Sequence, residues 1–240
     1  MKTRFAFFAL ICLLSSSLYS QSSMEGKNVL IVYGGWKGHQ PEVFAKKIAS
    51  WLENQKANVI LSESTASYLE KELMQSLDLV IQHITMSKMS NRESKGLRDA
   101  IARGVGLAGC HGGLGDSFRN DTEYQYMVGG QFVKHPGGQV DYKVTISNTS
   151  DPVTAGINDF NLKTEQYYMH YDPNIEILAT TSFSGKQDAW IDGVEMPVVW
   201  KKNYGKGRVF YSALGHSEDI FDIPEVWNIM TQGIEWAVKL

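Results

Sequence analysis

The chain has 240 residues, 43% of them hydrophobic and 20% charged, enough to bury a sizeable core as one domain or two small ones. That composition excludes a disordered, collagen-like or disulfide-scaffold protein, and the 22 glycines and 6 prolines are dispersed rather than repeated. A formal net charge of −3 shows no basic excess of the kind that binds nucleic acid.

Lys2 and Arg4 precede an apolar run at 5–14 and a Ser-rich stretch that ends at Ser20. This pattern predicts a secretory signal peptide over residues 1–20, cut near Ser20-Gln21. Ile11, not a small residue, precedes Cys12, which argues against a lipid anchor. No later segment reaches the length of about 20 apolar residues that a membrane span needs. The expected mature protein is therefore soluble and periplasmic, with a linker at 21–27 and a single α/β domain over 28–240. Without Lys2 and Arg4, the 23 basic residues fall to 21 against 26 acidic, a net charge of −5. Cys12 leaves with the leader, so Cys110 is an unpaired thiol in an exported protein.

Residues 28–33 (NVLIVY) form a continuous apolar run stopped by Gly34-Gly35, as in a strand buried on both faces. Helical spacing follows over 41–56, with Phe44, Ile48, Trp51 and Leu52 on one side and Pro41 at the start. Alternation then predicts a strand at 59–61, a helix at 66–74, a strand at 79–82, a helix at 91–103 and a strand at 105–110. Such a series gives a parallel sheet with helices on both faces. The second half is less regular, with strands predicted at 140–147, 175–180, 197–200 and 208–213. A last helix starts near Asp222, Pro224 and Glu225, with Trp227, Met230, Ile234 and Val238 on one face.

Ligands of open α/β sheets bind beyond the carboxyl ends of the strands. Histidine recurs at those predicted ends: His39 after the first strand, His83 after 80–82, His111 after 107–110 and His216 after 210–214. His135 and His170 occupy loops of their own. The segment 104–115 (GVGLAGCHGGLG) formally matches a dinucleotide fingerprint, but it begins after a helix and runs inside a strand, the wrong context. It reads better as a nucleophile elbow, a tight strand-to-helix turn flanked by small residues. Either His111, between Gly109 and Gly113, or Cys110, between Ala108 and Gly112, satisfies the spacing.

Lys134-His135-Pro136-Gly137-Gly138 is a turn carrying an imidazole, and residues 165–170 (EQYYMH) gather an acid, an amide, two phenols and an imidazole. This mixture suits carbohydrate, whose hydroxyls take polar partners and whose C–H face takes aromatic rings such as Trp36 or Trp190. The alternative is an aromatic-rich edge strand. In 214–218 (LGHSE) a carboxylate lies two residues past His216, where it could fix the ring's tautomer.

These motifs together resemble the trehalose-utilisation (ThuA-like) family, whose fold is similar to class I glutamine amidotransferases. The resemblance rests on 34–42, 106–113, 127–132 with His135-Pro136, 165–170 and 196–216, in that order along the mature chain. It implies a flavodoxin-like sheet with the elbow at its centre and His111 at the tip, where true amidotransferases carry cysteine. His216 and Glu218 then look like the remains of a catalytic pair, and Cys110 faces into the sheet as a small apolar residue. It further implies disaccharide catabolism beside a dehydrogenase that oxidises a glucoside at carbon 3.

A ketone at carbon 3 acidifies the carbon 2 proton, so a positioned imidazole can remove it and open a route to elimination, hydrolysis or isomerisation. The expected catalytic residues are His111, His216 and Glu165. Gly35, Trp36, His39, His83, His135, Tyr168 and His170 are expected to hold the sugar. A divalent metal such as zinc is the rival account of the same cluster, held by His39, His111 and His216 with Glu165. Two further alternatives are a non-catalytic carbohydrate-binding protein and a thiol amidase using Cys110. Any redox step belongs to a partner enzyme, and a homo-oligomer is left open.

Overall fold

The computed structural model describes residues 23–238. The expected signal peptide lies outside the described residues. Strands β1 (Asn28–Gly35), β2 (Asn58–Ser62), β3 (Leu79–Thr85), β4 (Gly106–Cys110) and β11 (Gly207–Ser212) form the parallel half of a nine-stranded sheet. Their spatial order, β2-β1-β3-β4-β11, is the flavodoxin-like 2-1-3-4-5 arrangement. Every residue of β3 and β4 is buried, as it must be where helices cover both faces.

Helix α1 (Pro41–Asn54) takes Pro41 at its first position and buries Phe44, Ile48 and Leu52. Helix α3 (Asn91–Arg103) opens on a capping box in which Ser90 and Glu93 satisfy each other's backbone N–H, and it closes at Gly104. Helix α1 and the final helix α6 (Pro224–Ala237) share one face of the sheet, where Trp51 meets Trp227 edge-on. The predicted helix at 66–74 divides into a 3-10 turn, Thr65–Leu69, and α2 (Lys71–Ser76). The Ser64 hydroxyl caps the turn by accepting from Ala66 N–H, and Glu70 leaves helical geometry between the two pieces.

The second half extends the same sheet with antiparallel strands β10 (Glu195–Tyr204), β9 (Glu176–Ser182), β6 (Gln139–Ile146) and β7 (Phe160–Glu165), in that order outward from β11. Alternating burial along β6 and β7 marks one wet face. Strands β5 (Gly130–Lys134) and β8 (Tyr168–Tyr171) form a separate ribbon beside short helices α4 (His111–Gly115) and α5 (Thr122–Val128). No helix among the described residues is long and apolar enough to cross a membrane.

Candidate functional site

The elbow occurs where β4 turns into α4, with His111 at its tip at φ +49°, a left-handed conformation that costs a non-glycine residue energy. What surrounds the turn holds it there. Gln82 of β3 lies beneath it, its amide donating to Ser117 Oγ and Tyr124 Oη and its carbonyl accepting from Tyr68 Oη. Gly113 passes so close to β3 that a Cβ would come 2.3 Å from His83 Nδ1. Tyr211 of β11 donates to the His111 carbonyl.

His111 is fully buried. Its Nδ1 lies 2.7 Å from the Ala213 carbonyl, so Nδ1 carries the proton and Nε2 is left with a lone pair in the neutral ring. That lone pair faces Glu165 Oε2 at 3.0 Å, an arrangement of two acceptors that calls for a positive charge between or beside them. His216 Nδ1 approaches the same Oε2 at 3.2 Å, and His135 Nε2 lies 3.7 Å from Oε1. Among the described residues, the ion pairs of Glu165 are all with imidazole. His39 closes the cluster, its ring edge-on to both His111 and His216 at 4.7 and 5.3 Å, with its Nδ1 2.9 Å from Thr85 Oγ1.

Burial lowers the His39 pKa from 6.5 to about 3, helped by the charges of the neighbouring rings. His111 is also lowered by burial, in part offset by the nearby Glu165 carboxylate and the Ala213 carbonyl. Burial alone would raise Glu165, but the adjoining rings of His111 and His216 outweigh it and hold the carboxyl well below its usual range. One ligand atom each from His39, His111, Glu165 and His216 lies within 4.8 Å of all the others, so this set can hold a cation as well as exchange protons.

Several expected residues sit differently. His83 lies inside β3, which runs on to Thr85, and not past its end; its ring is buried and stacked on Phe44. Its Nε2–H donates to the His39 carbonyl and its Nδ1 faces the Cys110 thiol, so it supports the loop that carries His39. Glu218 does not partner His216: it binds Lys47, its backbone N–H donates to Gln40, and Glu165 is the carboxylate at His216. Tyr167, which sequence reasoning passed over, stacks on His111 at 4.0 Å, whereas Tyr168 turns toward Phe183. His170 is exposed on β8 and makes no described contact with the cluster. Gly35 packs against Thr85, Trp36 stands over His39 with 46% of its surface exposed, and Trp190 is exposed on a separate turn. Thr85 was legible in principle, since it lies two residues past His83 on the same face of the strand.

Burial holds Cys110 in its thiol form, its pKa pushed far up.

The model of the ThuA family, described as trehalose utilisation, matches residues 28–237. The chain belongs to the ThuA family. A ThuA-like protein of Bacteroides uniformis is 17% identical, with a TM-score of 0.72 over 88% of this chain and 91% of that one. One from Parabacteroides merdae is 18% identical, with a TM-score of 0.71 over 89% and 90%. A β-galactosidase from Bacillus circulans sp. alkalophilus is 15% identical, with a TM-score of 0.53; the match covers 92% of this chain and 32% of that one. At such identities the structures establish the shared fold. No curated protein matches the chain. The ThuA family assignment links the chain to trehalose utilisation.

The buried rings set a pH limit on the ThuA fold. Burial lowers the His83 pKa from 6.5 to about 4, so between those values the unfolded chain takes up a proton that the folded one refuses. Stability from this ring is constant above pH 6.5 and falls as the pH drops toward 4. Between pH 6.5 and 5 the expected loss is about 2 kcal/mol, and His39 adds in the same direction. Urea unfolding at pH 7 and pH 5 measures it, and equal midpoints would show that the rings are not held neutral.

Proposed function

We propose that this ThuA protein is an enzyme of disaccharide breakdown that acts on glycosides such as trehalose in their 3-keto form, removing the proton next to the ketone. The observation that carries this reading is the Glu165 carboxylate set among the imidazoles of His111, His216 and His135 beyond the carboxyl ends of the parallel strands.

The reaction is an elimination. An imidazole takes the carbon 2 proton, the electron pair forms a bond between carbons 1 and 2, the bond from carbon 1 to the glycosidic oxygen breaks, and that oxygen is protonated as it leaves. His216 and His135 keep exposed surface and reach the sugar, while His111 and His39, both buried, orient Glu165 and His216. Trp36 covers the apolar face of a ring. A cleft of about 600 Å³, lined in part by Pro136, Gln139, Gln166 and Asp188, adjoins the positions that follow His135 and Glu165 in the chain and suits the second sugar. The ketone is supplied by a separate sugar 3-dehydrogenase, and the leader expected at 1–20 sends the protein to the periplasm.

The test is proton NMR in deuterated water of the protein with trehalose and, separately, with 3-keto-trehalose. Deuterium at carbon 2, or loss of the glycosidic bond, in the keto sugar alone is the expected result. Binding of the sugar with neither change would overturn the reading in favour of a carbohydrate-binding protein.

A further inference from the structure

We infer that His39, His111, His216 and Glu165 form a site for one divalent first-row transition-metal ion, with coordination positions left over for two neighbouring oxygens of the substrate. The site itself stands without the sugar reading; only chelation of a keto sugar rests on it.

Geometry supports this in four ways. A metal held about 2.1 Å from each donor separates adjacent donors by roughly 3.0–3.4 Å. Glu165 Oε2 stands 3.0 Å from His111 Nε2 and 3.2 Å from His216 Nδ1, and all four donors fall within 4.8 Å. The approach of the His111 lone pair to a carboxylate oxygen is repulsive with nothing between them and is what two donors to one cation require. The ring nitrogens turned away from the centre are engaged as metal-bound imidazoles usually are: His111 Nδ1–H on the Ala213 carbonyl and His39 Nδ1 on the Thr85 hydroxyl. Finally, His216 Nδ1 is a buried ring nitrogen without a hydrogen-bond partner, and it is aimed at this centre.

Three neutral imidazoles and one carboxylate leave a bound dication with a net charge of +1. That suits an oxyanion formed on a ketone, with a hydroxyl on the adjacent carbon as second donor. Four protein donors fill a tetrahedral shell, so chelation by two substrate oxygens requires an ion that accepts six, such as manganese, iron, cobalt or nickel. His135 is outside the donor set, and with 41% of its side chain exposed it remains to take the carbon 2 proton.

The full chain is stripped with a chelator and titrated with cobalt(II), zinc(II) and manganese(II). Metal content and the visible spectrum of bound cobalt are read, with circular dichroism as the check on folding. One ion per chain is expected, with affinity falling at least about tenfold in His216→Ala and in Glu165→Gln and unchanged in His170→Ala. His216 lies at the edge of the core and Glu165→Gln conserves shape, so both variants should fold. No stoichiometric binding, or binding at full affinity in both variants, would overturn the site. Repeating the NMR experiment separates the two proposals. A bound ion without exchange at carbon 2 overturns the sugar reading alone, and exchange by stripped protein that takes up no ion overturns the metal site alone.

Discussion

Glu165→Gln is expected to lower turnover of a 3-keto glycoside by about 10²–10⁴-fold while leaving the protein folded. The carboxylate is the one group that the rings of His111, His216 and His135 share, so its charge acts on all three. Glutamine has the same shape and removes that charge. It also offers an N–H to His111 Nε2, whose lone pair is left outward because Nδ1–H is committed to the Ala213 carbonyl. The folded state therefore loses no partner, and the effect falls on chemistry. Steady-state kinetics beside a urea melt read the two quantities apart. A loss of less than tenfold in turnover would remove Glu165 from the reaction.

Gly35→Ala should have the largest effect on stability, about 3 kcal/mol or more, enough to deplete folded protein. Gly35 ends β1 at φ +75°, and a Cβ built there would come 2.1 Å from the Thr85 carbonyl oxygen. The neighbouring backbone has little freedom to retreat, because Trp36 N–H bonds that same carbonyl and Thr85 also holds His39. Gly138→Ala provides the control. It too has positive φ, at +69°, but nothing stands within 4 Å of its Cβ position, so about 1 kcal/mol is expected there. Equal midpoints for the two variants in urea unfolding would show that close approach to Thr85 is not what Gly35 is for.

The parallel half was legible because buried strands and amphipathic helices print distinct periods: α3 begins and ends where its cap residues, Ser90 and Gly104, predict. Strands β5 and β7 were missed because they are short and lie at the margin, where hydrophobic pattern is weak, and β8 was read only as the edge-strand alternative for 165–170. The elbow was readable as small residues around a tip; spacing left Cys110 and His111 open, the family resemblance put His111 at the tip, and the backbone agrees, with its positive φ at His111. His216 was found as an imidazole after a strand, yet its carboxylate partner was assigned to the nearest acid, Glu218. The true partner, Glu165, is 51 residues away on an antiparallel strand, a pairing that no local spacing reveals.

Strand β11 carries a further consequence for how the molecule comes into being. It is the last strand along the described chain, yet in space it stands between β4 and β10, joining the parallel and antiparallel halves. The residue just past its end, Ala213, supplies the carbonyl that sets the His111 ring, across 102 positions of sequence. As the chain folds, both halves can collapse early, but the seam between them stays open until β11 pairs with β4 and β10. High contact order of this kind slows folding. It also leaves the edges of β4 and β10 bare meanwhile, ready to pair with other chains.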